Sequence, residues 1–485
     1  MNEILGIYFK KELSQQITQK AFKNFEKDYP KLCYYYSSHF QVLLGSKTHL
    51  KSFITEGQKF VSCFGGYILN NKSISLINID DIAMLHGKFL FVKYNKLDHE
   101  LNLYSDILGN FPVYYISNDK YFAFSSNLKY LLQLKDIDKT LNPQYVYDYF
   151  YWGTTLPYHT FFENINLLPP FTNVQIGKNN IEKHTARSNQ SKTNQFHSID
   201  ESVSNLLEAL DSLINSYHAY YGKLNFTMTG GLDTRILGSF NKATWHSKFI
   251  TVHHSNLSES ENSDIQIAKK VAKLLQVPHE TIYNSFFPIP ELFSQNYFKD
   301  VKFKSDFYPV ITGIFGSELL KLQAFDILKR NLSLLSIKNH YKHYDTNLLP
   351  SDLTPQLNTF LKNNAFNFKK MIKTKSQFKN FNERKKQTIN DFEKDIATNP
   401  LKTIFKWVAN SYYSTYYGGS RAGNFNHYEL FSIFLIPFAD QKIIDVLSKI
   451  PCKFYGIHYN SIISYIYRSK LKYLTSIDTN TSLVE

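Results

Sequence analysis

The segment NFTMTGGLDTRIL, residues 225–237, places an apolar strand end, two glycines, an aspartate and a helical pattern in direct succession. Strand-like and helix-like runs alternate around it: KLNFTM, SKFITVHH and HETIYN read as strands, and DTRILGSFN and SDIQIAKKVAKLLQV read as helices. This alternation predicts an open, largely parallel sheet with right-handed crossovers. Ligands of such sheets bind beyond the carboxyl ends of the strands, which is where this turn is expected to lie.

The turn itself has the residue types of an anion site. Gly230 and Gly231 allow the backbone to approach an anion closely, and their N–H groups and the start of the next helix predict a nest for phosphate. Thr229 and Thr234 add hydroxyl groups. Asp233 would repel a phosphate, but it fits a Mg²⁺ ion that bridges phosphates. The alternative is a structural turn in which the aspartate and threonine only cap a helix.

The composition indicates a globular protein of more than one domain. The chain has 485 residues, of which 43% are hydrophobic, enough for two or three domains with their own cores. Cys33, Cys63 and Cys452 form no C-x-x-C pair, which indicates a reducing compartment and neither a disulfide framework nor a zinc site. The first residues lack the apolar core of a signal peptide, and no later apolar run could cross a bilayer. We therefore expect a cytoplasmic protein without a membrane partner.

The net charge of +14 raises the question of a nucleic-acid partner. The densest basic stretch, residues 369–386, alternates charges with apolar residues at helical spacing, which is typical of a solvated helix face. We therefore expect no nucleic acid as a partner. A tRNA-modifying enzyme is the alternative that the charge suggests, and salt-dependent RNA retention would favour it.

The pattern changes once along the chain. Residues up to about 135 read as short strands separated by Gly, Asn and Asp, whereas helical and alternating patterns follow residue 196. The polar stretch ARSNQSKTNQ, residues 186–195, is the best linker candidate. We therefore predict two domains, residues 1–185 and 196–485.

The turn and several other segments carry a resemblance to a known family. TGGLDT, residues 229–234, resembles the S-G-G-x-D-S pyrophosphate loop of the N-type ATP pyrophosphatases, which cleave ATP to AMP and pyrophosphate. The whole chain resembles the class B asparagine synthetase type of protein. The other segments that carry the resemblance are ILGIY, LYSDILGNFPVYY, FAFSSNLKYLL, YHTFFENINLLPPFT, SDIQIAKKVAKLLQVPHE with Asp264, TGIFGSELL and LIPFADQKIIDVLSKIP.

The resemblance implies a fold, cofactors and site residues. The fold is α/β with α+β: an Ntn-type, β-rich glutaminase-like sandwich domain, then a parallel-sheet ATP pyrophosphatase domain (adenine nucleotide alpha hydrolase-like) with a helical C-terminal part. The implied cofactors are ATP and Mg²⁺. His253 and His254 follow the second strand; we interpret them as core or loop histidines, with the adenosine pocket as the alternative. The implied nucleotide-binding residues are Thr229, Gly230, Gly231, Leu232, Asp233, Thr234, Val252, Thr312 and Gly313.

The N-terminus departs from the family. Glutamine-using members begin Met-Cys-Gly, and the exposed cysteine attacks the glutamine amide, but here Asn2 and Glu3 stand in those places. A carboxamide cannot replace a thiolate nucleophile, and Cys33 is internal. We therefore expect an inactive glutaminase domain. The resemblance then implies ammonia or a substrate amine as nucleophile, as in the β-lactam synthetase and lasso-peptide cyclase branches.

The acidic loop S-G-E-G-x-D-E of the family is altered as well. An ungapped match to TGIFGSE, residues 312–318, places Ile314 and Ser317 at acidic positions and leaves only Glu318. A one-residue slip would bring Glu318 to the metal-binding position. Asp233 and Glu318 are therefore the candidate catalytic Mg²⁺ ligands, and a surface glutamate at a helix start is the alternative for Glu318.

The family also has a lysine near its C-terminus that stabilises developing charge. The corresponding region of this chain holds His458 or Tyr459 at the approximate position. Arg235, directly after the turn, and Arg421 are the alternative sources of positive charge, and Arg235 is our third catalytic candidate. Arg235 could equally point away from the turn.

The resemblance implies an ATP-dependent amide-forming ligase. A carboxylate would attack the α-phosphate of ATP, and an amine would then displace AMP. The carboxylate is aspartate if the family's founding amino-acid-biosynthesis reaction is kept, and a peptide or a sugar acid is the alternative. The rival class is a nucleotide-binding pseudoenzyme or interaction protein on the same scaffold. A homodimer is compatible with either hypothesis.

Overall fold

The computed structural model describes a defined part of the chain, and statements on structure below concern that part. It comprises residues 3–10, 17–46, 54–69, 82, 85–106, 109, 111–140, 160, 162–168, 172–177, 181–185, 195–253, 263–283, 309–321, 434–456 and 458–477. The predictions for Asn2, His254, Arg421 and the basic stretch 369–386 lie outside these residues.

The N-terminal part is built from two antiparallel sheets of six strands each. The first has the order β10-β8-β9-β1-β3-β2 and the second β12-β11-β7-β6-β5-β4. Two helices, α1 (Gln19–Asp28) and α2 (Leu128–Leu131), accompany the first sheet. The strands are β1 Glu3–Phe9, β2 Lys31–Tyr36, β3 Phe40–Ser46, β4 Ile54–Glu56, β5 Phe60–Ile68, β6 Gly87–Asn95, β7 Glu100–Ser105, β8 Tyr114–Ser117, β9 Tyr121–Ser125, β10 Ile165–Leu167, β11 Thr172–Ile176 and β12 Ile181–Thr185.

A shared apolar core joins these two sheets face to face. It includes Val42 of the first sheet and Phe91 of the second, both of which are fully buried. Strand β1 is central in its sheet and nearly continuous in apolar residues, because it is covered on both faces. Gly6 is required there, since a Cβ atom at this position would lie 2.2 Å from the Phe124 ring. The expectation of a β-rich N-terminal part is confirmed.

The later part contains a parallel sheet of five strands, as the alternating pattern predicts. All of its strand pairs are parallel, in the order β15-β14-β13-β16-β17. The strands are β13 Asn225–Thr227, β14 Phe249–His253, β15 His279–Tyr283, β16 Val310–Ile311 and β17 Phe434–Leu435. The helices are α3 Ile199–Tyr221, α4 Leu232–Gly238, α5 Ser263–Leu275, α6 Gly316–Leu320, α7 Gln441–Lys449 and α8 Ile462–Tyr465, which a π-helical turn Ile466–Lys470 continues.

Helix α3 shows how local sequence sets the helix bounds. Ser198 caps its start, because its Oγ accepts a hydrogen bond from the Glu201 N–H at 3.1 Å. Gly222 ends it with a φ of 80°, a conformation that glycine adopts without strain. The face with Leu206 and Leu210 is buried in the core of this part, against the parallel sheet and helix α7.

Strand β13 occupies the centre of the parallel sheet. The chain leaves it through α4 to β14 on one side, whereas β16 pairs with it on the other side. Such a reversal of strand order opens a crevice at the carboxyl ends of the two strands, and ligands of open α/β sheets bind there. The turn at residues 229–234 therefore follows the strand at which the order reverses.

The antiparallel and parallel parts touch through a small set of polar and aromatic contacts. The Nδ1–H of His86 donates to Asp440 Oδ1 at 3.0 Å, and Asp440 also caps α7. The Tyr67 ring packs edge-on against Tyr217 and Tyr221 of α3. These contacts join β5 and the start of β6 to the helical layer beside the parallel sheet.

The His86–Asp440 contact predicts a pH-dependent contribution to stability. Burial lowers the pKa of His86, and the Lys442 charge acts in the same direction. The hydrogen bond to Asp440 and the charges of Asp440 and Asp445 outweigh both, so the pKa of His86 is raised above 6.5. The contribution is therefore complete below 6.5 and is lost as pH rises through the higher folded pKa. Since 32% of the His86 side chain is exposed, we expect His86→Asn to cost at most about 1 kcal/mol.

Thermal unfolding of wild type and His86→Asn at about pH 6 and about pH 8.5 checks this prediction. The difference in unfolding temperature should shrink at the higher pH. A constant difference across the range would contradict a protonation-dependent contact.

None of the helices in the described ranges is long and apolar enough to span a membrane.

Candidate functional site

The glycine loop, residues 229–234, connects β13 to α4 at the carboxyl edge of the parallel sheet. Strand pairing continues up to the loop, since the Met228 N–H donates to Ile250 O at 2.8 Å. Leu232 begins α4 and is fully buried, so the side chain of this predicted nucleotide-binding residue belongs to the core. The loop is therefore held at both ends by buried structure.

The two threonine hydroxyl groups of the glycine loop close it from within. Thr234 Oγ1 donates to Gly231 O at 3.1 Å, and it lies 3.2 Å from Thr229 Oγ1. Thr229 Oγ1 in turn accepts the Gly231 N–H at 3.0 Å. The sequence predicts both hydroxyls as donors to phosphate, whereas here they bind the loop to itself. These hydroxyl contacts thus fix the loop's shape.

Two carboxylates accept three further amide donors of the glycine loop and of the helix start, those of Gly230, Asp233 and Thr234. The Gly230 N–H donates to Asp264 Oδ1 at 2.9 Å, from the first turn of α5. The Thr234 N–H donates to Asp233 Oδ1 at 3.0 Å, and the Asp233 N–H also bonds to this carboxylate. These amides are the donors that an anion would use at a helix N-terminus. A phosphate that binds these amides would therefore have to displace the carboxylate oxygens from them.

A second loop, residues 312–316, packs directly onto the glycine loop. The Thr312 N–H donates to Leu435 O at 2.9 Å, which places the loop next to β17. A Cβ atom at Gly313 would lie 3.0 Å from Thr234 N, and one at Gly316 would lie 2.6 Å from Asp233 Cβ. Phe315, between these glycines, is fully buried and has a φ of 69°, a conformation that costs energy in a residue other than glycine. The two loops are thus in close contact, and the predicted nucleotide-binding roles of Thr312 and Gly313 stay predictions.

Gly316→Ala is expected to lower the free energy of unfolding by about 2 kcal/mol, because the new methyl group would meet both Asp233 Cβ and the Phe438 ring. Neither neighbour is the free end of a flexible side chain. Gly57→Ala is the matched control: its Cβ atom would meet only Phe60 O at 3.6 Å, so we expect a change within about 0.5 kcal/mol. Urea unfolding measures both, and equal effects would show that the two loops are not in tight contact.

Helix α6 brings a hydroxyl group to Asp233. Ser317 hydrogen-bonds with the Asp233 carboxylate, and the charge of the buried Lys321 acts on it as well. Solvent reaches part of Asp233, yet the surrounding protein atoms desolvate its carboxylate. This desolvation raises the pKa of Asp233, although the Lys321 charge and the hydrogen bonds from Thr234 and Ser317 oppose the shift.

Arg235 lies beneath the glycine loop. Its side chain is fully buried, and its guanidinium group donates to Gly230 O at 3.3 Å and to Ile477 O at 3.0 Å. The guanidinium also hydrogen-bonds with the phenol of Tyr467, whose pKa is raised chiefly by burial. Arg235 therefore ties the loop backbone to the C-terminal segment. This arrangement agrees with the alternative in which Arg235 points away from the turn.

The structure leaves several predicted site residues outside the described side chains. The side chains of Glu318, Val252 and His253 are among these, so the predicted roles of the three stay predictions. His458 Nε2 lies 3.0 Å from Tyr455 O, and Tyr459 is exposed beneath the Arg468 guanidinium. These contacts of His458 and Tyr459 are with residues of the same C-terminal segment.

The oxygen donors at the glycine loop fit a hard cation such as Mg²⁺. Asp233 and Asp264 supply carboxylates at the two sides of the loop, and Thr229 adds a hydroxyl. Within the described residues no group of three or more His, Cys, Asp and Glu side chains could enclose a metal. Mg²⁺ in nucleotide sites commonly uses only one or two carboxylates together with the phosphates, so a loop with two carboxylates suffices.

The start of β1 holds a hydrogen-bonded carboxylate. The Ser126 hydroxyl donates to the Glu3 carboxylate, and Ser126 Oγ accepts the Ile4 N–H at 2.9 Å. Cys33 lies on β2 and Cys63 on β5, where burial raises the pKa of the Cys63 thiol far above its usual value. Neither of these two thiols is placed at the start of β1.

Sequence reasoning singled out the glycine loop, Asp264 and, on α6, Glu318, but not Lys321. Lys321 lies within ELLKLQ, where a single lysine in an apolar run gives no signal of its own. Its spacing of four residues from Ser317 would have placed both on one helix face, once the helix start was known. Tyr467 was likewise not singled out.

Comparison with known proteins finds a similarity in the N-terminal part. A family model described as a glutamine amidotransferase domain matches residues 75–186. No curated protein is similar enough to count as a match. The asparagine synthetase resemblance therefore has no support from these comparisons beyond the amidotransferase domain.

Two solved structures illustrate the structural matches. The structure of the allosteric regulatory enzyme of purine biosynthesis is 9% identical, with 58% of this chain and 80% of that chain covered and a TM-score of 0.27. Glutamine phosphoribosylpyrophosphate amidotransferase from B. subtilis, complexed with ADP and GMP, is 10% identical, with 64% and 74% covered and a TM-score of 0.27. These TM-scores are too low for either structure to inform the function of this chain. Residues 75–186 are similar to a glutamine amidotransferase domain, in the part of the chain that forms the antiparallel sheets.

Proposed function

We propose that the protein is an ATP-dependent ligase that forms an amide bond between a carboxylate and ammonia or a substrate amine. The observation that carries the proposal is the position of the glycine loop at the strand where the order of the parallel sheet reverses. The loop combines close backbone approach with the carboxylates of Asp233 and Asp264. The amidotransferase similarity of residues 75–186 supports nitrogen-transfer chemistry in the same chain.

The reaction is an acyl adenylation followed by amide formation. A carboxylate oxygen of the substrate forms a bond to the α-phosphorus of ATP, and the bond from that phosphorus to pyrophosphate breaks. The amine nitrogen then forms a bond to the acyl carbon, and AMP leaves with the electron pair of the broken C–O bond while the amine loses a proton to solvent. Bound Mg²⁺ would supply neutralising charge to the polyphosphate.

The residues of the chain would bind and orient the nucleotide. The Gly230 and Thr234 amides donate hydrogen bonds to Asp264 and Asp233 in the structure. A polyphosphate at the start of α4 would accept hydrogen bonds from the same two amides. The carboxylates freed by this exchange would hold Mg²⁺. The apolar residues of the loop and of α4, such as the buried Leu232, keep the loop rigid from below.

Product analysis tests the proposal. The purified protein is incubated with Mg²⁺, ATP, ammonium and a panel of carboxylates that includes aspartate, short peptides and sugar acids. Carboxylate-dependent AMP and pyrophosphate are expected, and the carboxylate that supports them is the substrate. ADP as the nucleotide product would refute the adenylation chemistry.

A second candidate function is a nucleotide-free or catalytically inactive scaffold. The observation that favours it is the internal satisfaction of the glycine loop, since the Gly230, Gly231 and Thr234 amides all have acceptors within the protein. In that case the aspartate and the threonines would only cap α4. Absence of ATP binding in a calorimetric titration, with and without Mg²⁺, would favour the scaffold.

Ammonium, rather than glutamine, is expected to support amide formation. The reason is chemical: Asn2 cannot supply the thiolate that glutamine hydrolysis needs, and Glu3 is hydrogen-bonded with Ser126 in β1. With the substrate carboxylate present, we expect glutamine to give less than about 1% of the rate with ammonium, which corresponds to the loss of a covalent catalyst. Glutamate release measured from glutamine is the direct assay, and rates comparable to those of ammonium would contradict the prediction.

A further inference from the structure

Strand β2, Lys31–Tyr36, forms one edge of the first antiparallel sheet. Within the part of the chain that the structure describes, it pairs with β3 on one side only. The side chains of Tyr34 and Tyr36 are 65% and 43% exposed, and their ring centroids lie 5.2 Å apart. An edge strand with exposed aromatic side chains is a template for pairing with another strand.

The other edge strands of the described sheets are short or charged. Strands β4, β10 and β17 have three, three and two residues. Strand β12 contains Glu182 and Lys183, and β15 carries the exposed Glu280. Short length and charge are the usual protections of a sheet edge. Strand β2 has six residues and no charged side chain after Lys31, so it lacks both protections.

The hydrogen-bond register determines which backbone groups of β2 face outward. The Ser37 N–H donates to Phe40 O at 2.9 Å, so these two residues form a hydrogen-bonded pair at the hairpin end. Such pairs alternate along an antiparallel ladder, so every second residue before Ser37 turns its backbone groups toward β3. The backbone N–H and C=O groups of the remaining residues, Leu32, Tyr34 and Tyr36, therefore point to the open edge.

We propose that β2 is a dimer interface, on which β2 of a second copy of this chain pairs antiparallel with the twofold axis at Tyr34. Three outward-facing residues at alternating positions make the edge self-complementary. Tyr34 of one copy lies opposite Tyr34 of the other, and Leu32 lies opposite Tyr36. Each of these opposed pairs exchanges two hydrogen bonds, and the two sheets join edge to edge into one continuous sheet.

The side chains of β2 favour this register. The Tyr34 rings of the two copies lie opposite each other, and aromatic cross-strand pairs stabilise antiparallel ladders. Lys31 of one copy lies opposite Ser37 of the other, so the charged end of each strand meets a neutral residue. The strand therefore pairs with itself without setting like charges against each other.

Helix α1 adds charge complementarity. It lies beside the exposed face of β2, since the ring centroids of Phe22 and Tyr36 are 6.0 Å apart. Its exposed side chains include Lys23 and Glu26, which are one helical turn apart and opposite in charge. The twofold axis runs the two copies of α1 antiparallel, so Lys23 of one copy lies toward Glu26 of the other. An unrelated strand would gain only the ladder contacts, which favours a second copy as the occupant.

Opposite substitutions at Tyr34 test both the interface and its register. Tyr34→Lys sets two like charges against each other at the axis, so we expect the dimer dissociation constant to rise about tenfold or more. Tyr34→Glu should have the same effect. An equimolar mixture of the two variants should associate with a dissociation constant within about threefold of that of wild type, because opposite charges then meet at the axis.

Sedimentation velocity of the full chain over a range of concentrations measures the dissociation constants. Tyr473→Lys, at another exposed tyrosine in the C-terminal segment, is the matched control and should dimerise as wild type does. If the charged variants do not fold, Tyr34→Pro takes their place, because it removes an outward N–H donor at a position where an edge strand tolerates proline. Circular dichroism and the unfolding temperature establish that the variants are folded.

The outcomes decide the interface independently of the ligase proposal, because AMP formation tests that proposal separately. A wild type that stays monomeric at about 100 µM would overturn the second copy as the occupant and leave the edge to a strand of a different protein. A dimer that persists in Tyr34→Lys would overturn β2 as its location. A mixture of the two charged variants that stays monomeric would overturn the register about Tyr34, whereas its association would establish that register.

Discussion

Asp233→Ala is expected to reduce carboxylate-dependent AMP formation by more than about 100-fold, in the range seen for loss of a preorganised electrostatic group. Asp233 is the carboxylate of the glycine loop itself, and it faces the hydroxyl of Ser317 and the charge of Lys321. Its loss would remove the carboxylate that we propose for Mg²⁺. The measurement is the initial rate of AMP release with the substrate carboxylate and ammonium.

Two controls make this result specific. Asp233→Asn keeps the shape and an acceptor oxygen for the Thr234 N–H but removes the charge, so it should also be inactive while folding normally. Asp211→Ala, on a face of α3 outside its buried residues, should retain full activity. Activity of Asp233→Asn close to that of wild type would contradict a charge-based role and would leave only helix capping for Asp233.

The loss of Asp233 also separates the two candidate functions. In a scaffold without nucleotide, the residue would serve only to cap α4, and removal of a cap costs about 1 kcal/mol of stability. In the ligase, the same substitution abolishes product formation at protein concentrations where the chain stays folded. Unfolding and product assays on one preparation therefore distinguish a cap from a metal ligand.

The sequence predicted the parallel sheet and the position of the glycine loop, because both depend on local patterns. Alternating strand and helix periods fix the order of elements, and the right-handed crossover rule then places the first turn at a strand end. The bounds agree closely: HETIY forms β15 over His279–Tyr283, and SDIQIAKKVAKLL forms α5 over Ser263–Leu275. Asp264, which the family resemblance singled out, accepts the Gly230 N–H at 2.9 Å in the structure.

The contacts of the site could not be predicted in the same way, because they depend on residues far apart in the chain. Nothing near Arg235 indicates that its guanidinium would reach Ile477 O, 242 positions further on. The sequence shows that the threonine hydroxyls can donate hydrogen bonds but not which acceptor they use. Only the folded loop shows that Thr234 donates to Gly231 O. Residue type therefore indicates which chemical groups a loop contains, and packing decides which of them stay available as donors.

Arg235→Met is expected to lower the free energy of unfolding of the parallel-sheet part by about 3 kcal/mol, as for loss of buried hydrogen bonds to a charged group. The guanidinium group is fully buried and donates to the carbonyls of Gly230 and Ile477. Methionine fills much of the volume but donates to neither carbonyl, so both would lose a buried partner. We expect amide exchange to rise in the segment 466–477, which Arg235 ties to the loop.

The control for this substitution is Arg468→Met in the same segment. Arg468 is partly exposed, and its Nε donates to Ser464 O at 3.3 Å while its guanidinium covers the exposed ring of Tyr459. We expect its loss to cost less than about 1 kcal/mol, because solvent can replace the contacts of an exposed charge. Urea unfolding and hydrogen exchange by mass spectrometry measure both variants. Equal costs would contradict the placement of Arg235 beneath the loop. A large cost with exchange confined to residues 466–477 and the loop would show that the C-terminal segment supports the glycine loop through this one side chain.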